Sequence, residues 1–217
     1  YESNLFGTDE FLQWCERMKI EPYINFNMGN NPDFGGGLGD ALNWIDYVNG
    51  SDESLYGKKR IKNGRQEPYN VKYWGLGNEN YASWGRHTAE TAEVYSHKLN
   101  RWATVIKDLY SDLELIGIGH KYDWNKTVLS QNGNLIDWLS LHFYLTAWVK
   151  NGEITKPERT TYAPSIVEAN LRKNIELLTK VNKQFNREDN PIQISIDEWN
   201  NRHSVFDGNE NWQMQRH

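Results

Sequence analysis

Five short apolar runs dominate the chain: "EPYINFN" (21–27), "VKYWGLG" (71–77), "LELIGIG" (113–119), "DWLSLHFY" (137–144) and "IQISIDEW" (192–199). Long stretches of helical periodicity separate them. Parallel neighbours need a crossover connection, usually a helix, so strict alternation of strand and helix commits a chain to a parallel sheet. Thr8 is expected to cap a helix with Asp9 and Glu10 in its first turn and Phe11, Cys15 and Met18 on one face. Asp40 should cap 41–49, with Gly50 closing it. The clearest helical face carries Ala92, Tyr95, Leu99, Trp102, Ile106 and Leu109 at three- and four-residue steps. A capping box at Ser165-Ile166-Val167-Glu168 predicts a last helix burying Val167, Ile175, Leu178, Val181 and Phe185.

A parallel α/β chain is either doubly wound or closed into a barrel. "GGGLG" (35–39) is only a loose match to a phosphate fingerprint and reads better as a loop. Polar residues instead gather where several runs end: Asn25 and Asn27, Asn78 and Glu79, His120, His142 and Tyr144, and Asp197 and Glu198. A doubly wound sheet concentrates its site at one switch point, whereas a (β/α)₈ TIM barrel draws chemistry from many strand ends. The barrel is the expected fold. Only five strands are visible, so 1–217 reads as a single catalytic barrel domain that is partial, a fragment.

Composition narrows the function. The net charge of −5 comes without a long run of one sign, which argues against nucleic-acid and anionic-membrane partners. No apolar stretch approaches the roughly 18 residues of a membrane span, and no signal peptide is visible. That absence says little about location, because the chain opens mid-pattern; the compartment is open, with a cytoplasmic protein expected ahead of a secreted one. The sequons at Asn49 and Asn125 carry no weight against this. Cys15 is the single cysteine and suits a core position. Ten Trp and 12 Tyr hint at carbohydrate, since flat rings stack on sugar faces, although aromatic cores use as many.

Glycines at 75 and 77 should free the end of the second run for a closely approaching ligand or backbone, with Glu79 projecting over the barrel mouth. "ISIDEW" repeats the arrangement at Glu198. The two glutamates lie 119 residues apart. Three βα units of about 31 residues plus loop insertions account for that spacing, so the pair can face each other across the mouth. Two facing carboxylates are the equipment of glycoside hydrolysis: one protonates the leaving oxygen while the other attacks the anomeric carbon or activates water. Asn78 is placed to hydrogen-bond a sugar hydroxyl. The blander reading makes both glutamates helix-start acids favoured by the macrodipole. His142 and Tyr144, two apart on one strand, share a face; they point at the site or are buried and satisfied by backbone.

"EPYNVKYWGLGNEN", "SLHFY" and "ISIDEWN", with "FGTDEF" upstream and "YDWNKTVLS" between, resemble the α-L-arabinofuranosidase family of retaining glycoside hydrolases. The resemblance implies a (β/α)₈ barrel with an appended β-sandwich, and makes the five runs strands three to seven. The first two strands, the last strand, the sandwich and an upstream arabinose-binding glutamate would then be missing. It implies Glu79 as general acid/base and Glu198 as nucleophile, with Tyr144 hydrogen-bonding the nucleophile and His142 near the acid/base. Asn27 would touch the sugar, and Trp84 and Trp199 would be sugar-facing walls or core. No cofactor and no metal are implied; the partner is an arabinofuranoside substrate, and the full-length protein would be a homo-oligomer. The carboxyl groups should lie about 5–5.5 Å apart, as retention requires. Alternatives are a β-glucanase or β-xylosidase on the same barrel, a metal-dependent hydrolase using His120, His142 and Asp123, and a non-catalytic sugar-binding module.

Overall fold

The structure, a computed structural model, describes residues 5–29, 36–83, 89–150, 153–154 and 162–205, without side-chain detail for 145–150, 153–154 and 201–205. Trp84 lies outside the described residues. In chain order the elements are α1 (Thr8–Met18), β1 (Tyr23–Phe26), α2 (Leu38–Asn49), α3 (Leu55–Lys62), β2 (Tyr73–Leu76), α4 (Ala92–Leu109), β3 (Glu114–Ile118), α5 (Tyr122–Asn132), β4 (Trp138–Lys150), β5 (Glu153–Ile154), α6 (Ala163–Gln184) and β6 (Gln193–Val205). All five expected strands are present. Neighbours run β1-β2-β3-β4-β6, every pair parallel, and the short β5 adds antiparallel to the far end of β4.

Strand order therefore follows chain order without reversal. Right-handed crossovers in one direction put every helix on the same face, which is the winding of a barrel and not of a doubly wound sheet. The fold is α/β, an arc of a TIM barrel. Among the described residues no helix is long and apolar enough to cross a membrane.

The helix-facing side of the arc holds the core. Ile24 and Phe26 of β1, Trp74 and Leu76 of β2 and Leu115 of β3 are buried against Ile45, Leu99, Trp102 and Ile106. Phe26 stacks on Trp74 with centroids 5.0 Å apart, and Trp44 meets both rings edge-on. Trp74, Trp102 and Trp124 are thus core residues, and much of the aromatic content packs the sheet instead of presenting platforms to sugar.

Some boundaries differ from expectation. Gly7, not Thr8, caps α1: Glu10 accepts the Gly7 N–H at 2.8 Å, while the Thr8 hydroxyl accepts the Trp44 indole N–H at 3.1 Å. Asp40 lies inside α2 and reaches back to the Gly37 N–H. Helix α6 starts two residues before Ser165, with Pro164 in its first turn. It buries Leu177, Leu178 and Val181 but leaves Ile175 exposed. Met18 and Leu109 are exposed too, so the predicted stripes of α1 and α4 run too far at their C-terminal ends, whereas that of α6 breaks inside, at Ile175.

Two bridges fix the mouth. The buried Tyr95 hydroxyl donates to Leu76 O at 2.8 Å and accepts the Ile118 N–H at 2.9 Å, pinning the ends of β2 and β3 to α4. The Trp124 indole donates to Ile118 O at 2.9 Å. Away from the mouth, fully buried Arg60 donates to Tyr47 O and Gly50 O, both at 2.9 Å, and to Gln66 O at 3.3 Å, closing the turn after α2. Arg60→Met keeps volume but strands these carbonyls. It should cost about 3 kcal/mol, read as a lower urea midpoint at unchanged slope.

Candidate active site

The site grows from three strand ends. β2 stops at Leu76, and Gly77 turns the chain with φ +88°, a conformation that strains any side chain. A Cβ there would also lie 2.6 Å from the Asn80 amide oxygen. Glu79 itself adopts a left-handed backbone, φ 46°. For a residue with a side chain this costs about 1 kcal/mol, and such strain collects at functional positions. Gly75 is needed for a different reason: its Cβ would lie 1.8 Å from the Asn25 side chain and 2.7 Å from the Tyr23 hydroxyl. The two glycines make room for neighbouring side chains of the protein. The Asn25 amide, its nitrogen turned towards β2, donates to Gly77 O at 3.0 Å.

Glu79, His142 and Glu198 converge. His142 Nδ1 lies 2.8 Å from Glu79 Oε1 and 3.7 Å from Glu198 Oε2. One oxygen of each carboxylate and a ring nitrogen of His142 all fall within 4.8 Å of one another. The nearest oxygens of the two carboxylates are thus no farther apart than 4.8 Å, the close approach that a retaining pair needs. The Tyr144 hydroxyl donates to Glu198 Oε2 at 2.9 Å. His142 Nε2 is 3.4 Å from Ser140 Oγ, so the ring is held from both sides.

Of the other expected site residues, Asn78 is exposed directly before Glu79. Asn27 directly follows β1, where its side-chain oxygen accepts the Gly29 N–H at 2.9 Å and shapes its own loop. Trp199 is not brought to the mouth. It is 67% exposed on the opposite face and, with Phe143, Val167, Leu171 and Ile196, lines an apolar cavity of about 880 Å³ against α6. Pleating explains this, since the residue after an inward Glu198 points outward.

Sequence reasoning passed over Tyr81. Its hydroxyl donates to Glu79 Oε1 at 3.2 Å, and its ring stacks on His120 with centroids 3.7 Å apart. Burial first, then the negative charge of Glu79, holds the phenol pKa well above its ordinary value, so it remains a donor. His120, expected at the rim, thus supports the site through Tyr81. No strand alternation marks Tyr81, because it sits in the turn after Glu79. Tyr23 was detectable: it shares parity with Asn25 on β1.

The one group among the described residues spaced like three metal ligands is Glu79, His142 and Glu198, in place of a His120, His142 and Asp123 set. Two of its donors already share a hydrogen bond.

A family model described as the alpha-L-arabinofuranosidase 1 domain matches residues 1–159. The chain belongs to the α-L-arabinofuranosidase family. Among its relatives is alpha-L-arabinofuranosidase C of Emericella nidulans, 38% identical, with 92% of this chain and 40% of the relative covered. An intracellular exo-alpha-L-arabinofuranosidase of Bacteroides ovatus is 31% identical, covering 91% of this chain and 38% of the relative. The solved arabinose complex of the Thermotoga maritima α-L-arabinofuranosidase superposes with TM-score 0.80 at 32% identity, covering 97% of this chain and 40% of that one. The chain therefore spans about 40% of the length of the arabinofuranosidases it matches.

His120 yields a pH test. Burial, the larger cause, and the Lys121 charge lower its pKa from the ordinary 6.5. As pH falls below that value the unfolded chain takes up the proton before the folded one, so stability is full above 6.5 and declines below it. His120→Phe keeps the ring on Tyr81 without titrating. Its melting temperature should fall less between pH 7 and pH 5 than that of the unsubstituted protein, by differential scanning calorimetry.

Proposed function

We propose that this arabinofuranosidase-family chain carries the catalytic pair of a retaining glycoside hydrolase that removes terminal α-L-arabinofuranosyl units. The observation that supports this most is the meeting of Glu79 and Glu198 on one histidine, with carboxylate oxygens within 4.8 Å. The names of the relatives support the choice of sugar over a β-glucoside or β-xyloside.

In the proposed double displacement, Glu198 attacks the anomeric carbon while Glu79 gives its proton to the departing oxygen. Glu79 then takes a proton from water, and that water releases the sugar from Glu198. Tyr144 donates to Glu198 and would orient the attacking oxygen; His142 and Tyr81, both on Glu79 Oε1, would hold the proton donor towards the leaving group. Asn78, exposed beside Glu79, would bind a sugar hydroxyl, and Asn27 would contact the sugar from β1. Trp199 would reach substrate only beyond the mouth. We extend the reading to a cytoplasmic enzyme, following the relative called intracellular, and, from the family resemblance alone, to a homo-oligomer.

The test is stereochemical and mutational. Hydrolysis of 4-nitrophenyl α-L-arabinofuranoside followed by proton NMR should show the α-anomer of arabinose first, and Glu198→Ala should lower kcat by about 10³-fold or more. The β-anomer appearing first, a preference for β-xylosides in a nitrophenyl glycoside panel, or an active Glu198→Ala variant would each overturn the assignment.

A further inference from the structure

Counting along β6 puts Glu198 on the wrong face. Ile194 packs against the core and Ile196 lines the cavity beneath α6, so both face the helices. Residues two apart share a face, which by count would send Glu198 the same way. The ladder with β4 shows how it escapes. Leu141 pairs with Ile196 and His142 with Glu198, so one step on β4 is matched by two on β6. This is a β-bulge, and Asp197 is the inserted residue. Beyond it Glu198 is level with His142 and turned towards the mouth.

Asp197 is held by a residue remote in sequence. The Tyr23 hydroxyl donates to Asp197 Oδ2 at 3.1 Å, across 174 positions of chain. β1 and β6 are the two outermost of the five parallel strands, so this hydrogen bond crosses the inside of the arc. The other carboxylate oxygen, Oδ1, is buried with no hydrogen-bond partner among the described residues. Gly75 makes the reach possible, because a Cβ there would lie 2.7 Å from the phenol oxygen. Burial first, then Asp197, raises the Tyr23 pKa, which keeps the phenol a donor.

We propose that Tyr23 and Asp197 are positioning residues: the phenol grips the carboxylate of the bulge and so fixes the phase in which Glu198 meets the anomeric carbon. This rests on Glu198 being the nucleophile. A bulge set by one cross-barrel hydrogen bond relaxes when that bond is lost, and a displacement of about 1 Å at an attacking atom costs on the order of 10²-fold in rate.

The probe is an arabinofuranose-configured epoxide. The Glu198 carboxylate forms an ester bond to the epoxide carbon, the carbon–oxygen bond of the ring breaks, and the freed oxygen takes the acid's proton. Labelling rates are followed by peptide mass spectrometry, with arabinose affinity and melting temperature measured in parallel. Tyr23→Phe and Asp197→Ala should each slow labelling of Glu198 by about 10²-fold while arabinose affinity changes little. Asp197→Asn, which keeps an acceptor, should restore most of the rate, and the double variant should be no slower than the slower single. Undiminished labelling in Tyr23→Phe, or additive losses in the double variant, would overturn the positioning role while leaving Glu198 as nucleophile. Wild-type labelling at another residue, or none, would remove the reading on which it rests.

Discussion

A parallel sheet wound in one direction has a covered face and an inner face, and the two obey different rules. All crossovers lie outside, so the outer face of β1, β2 and β3 is filled with Phe26, Trp74, Leu76 and Leu115 against helices. No helix is available to cover the inner face, which must be satisfied by side chains crossing from strand to strand. Tyr23 to Asp197 is one such crossing, and Trp138 to Glu114 is another. Strand parity therefore decides whether a residue serves the core or the chemistry.

The two ends of the strands are specialised. At the start of β4, Asp137 accepts the Leu115 N–H at 3.0 Å and pairs with Lys107 at 2.8 Å and Arg187 at 3.1 Å, locking β3, α4 and the approach to β6. At the other end carboxylates meet a histidine and phenols. Glu79 and His142 are strongly buried, with side-chain exposures of 13% and 7%, while Glu198 at 34% is more open. A buried Glu79 beside a more open Glu198 leaves space on the Glu198 side, where the proposed substrate would approach.

Much of this was legible in the residues. Period-two alternation in "INFN", "LELIGI" and "ISI" marked the strands, and the polar residues closing each run marked the mouth. His142 and Tyr144 could be placed on one face by spacing alone. The bulge at Asp197 could not, because it is a property of pairing with β4 and leaves no mark in β6 considered alone. Counting that ignores the bulge places Trp199 inward, whereas with it Trp199 turns to α6. Glycines 75 and 77 were visible as cleared space, but what enters that space, Tyr23, Asn25 and Asn80, depends on tertiary contacts. Tyr81 lies in a turn, where no periodicity applies.

The left-handed backbone at position 79 has a consequence for how the protein tolerates change. Main-chain sterics filter the amino acids allowed there before any substrate is bound, and β-branched side chains fare worst. Inactivity of a valine or threonine replacement would confound lost chemistry with a rearranged turn. Asparagine and aspartate, at ease in that conformation, separate the two and make residue 79 a place where fitness landscapes should record geometry and reactivity as distinct pressures.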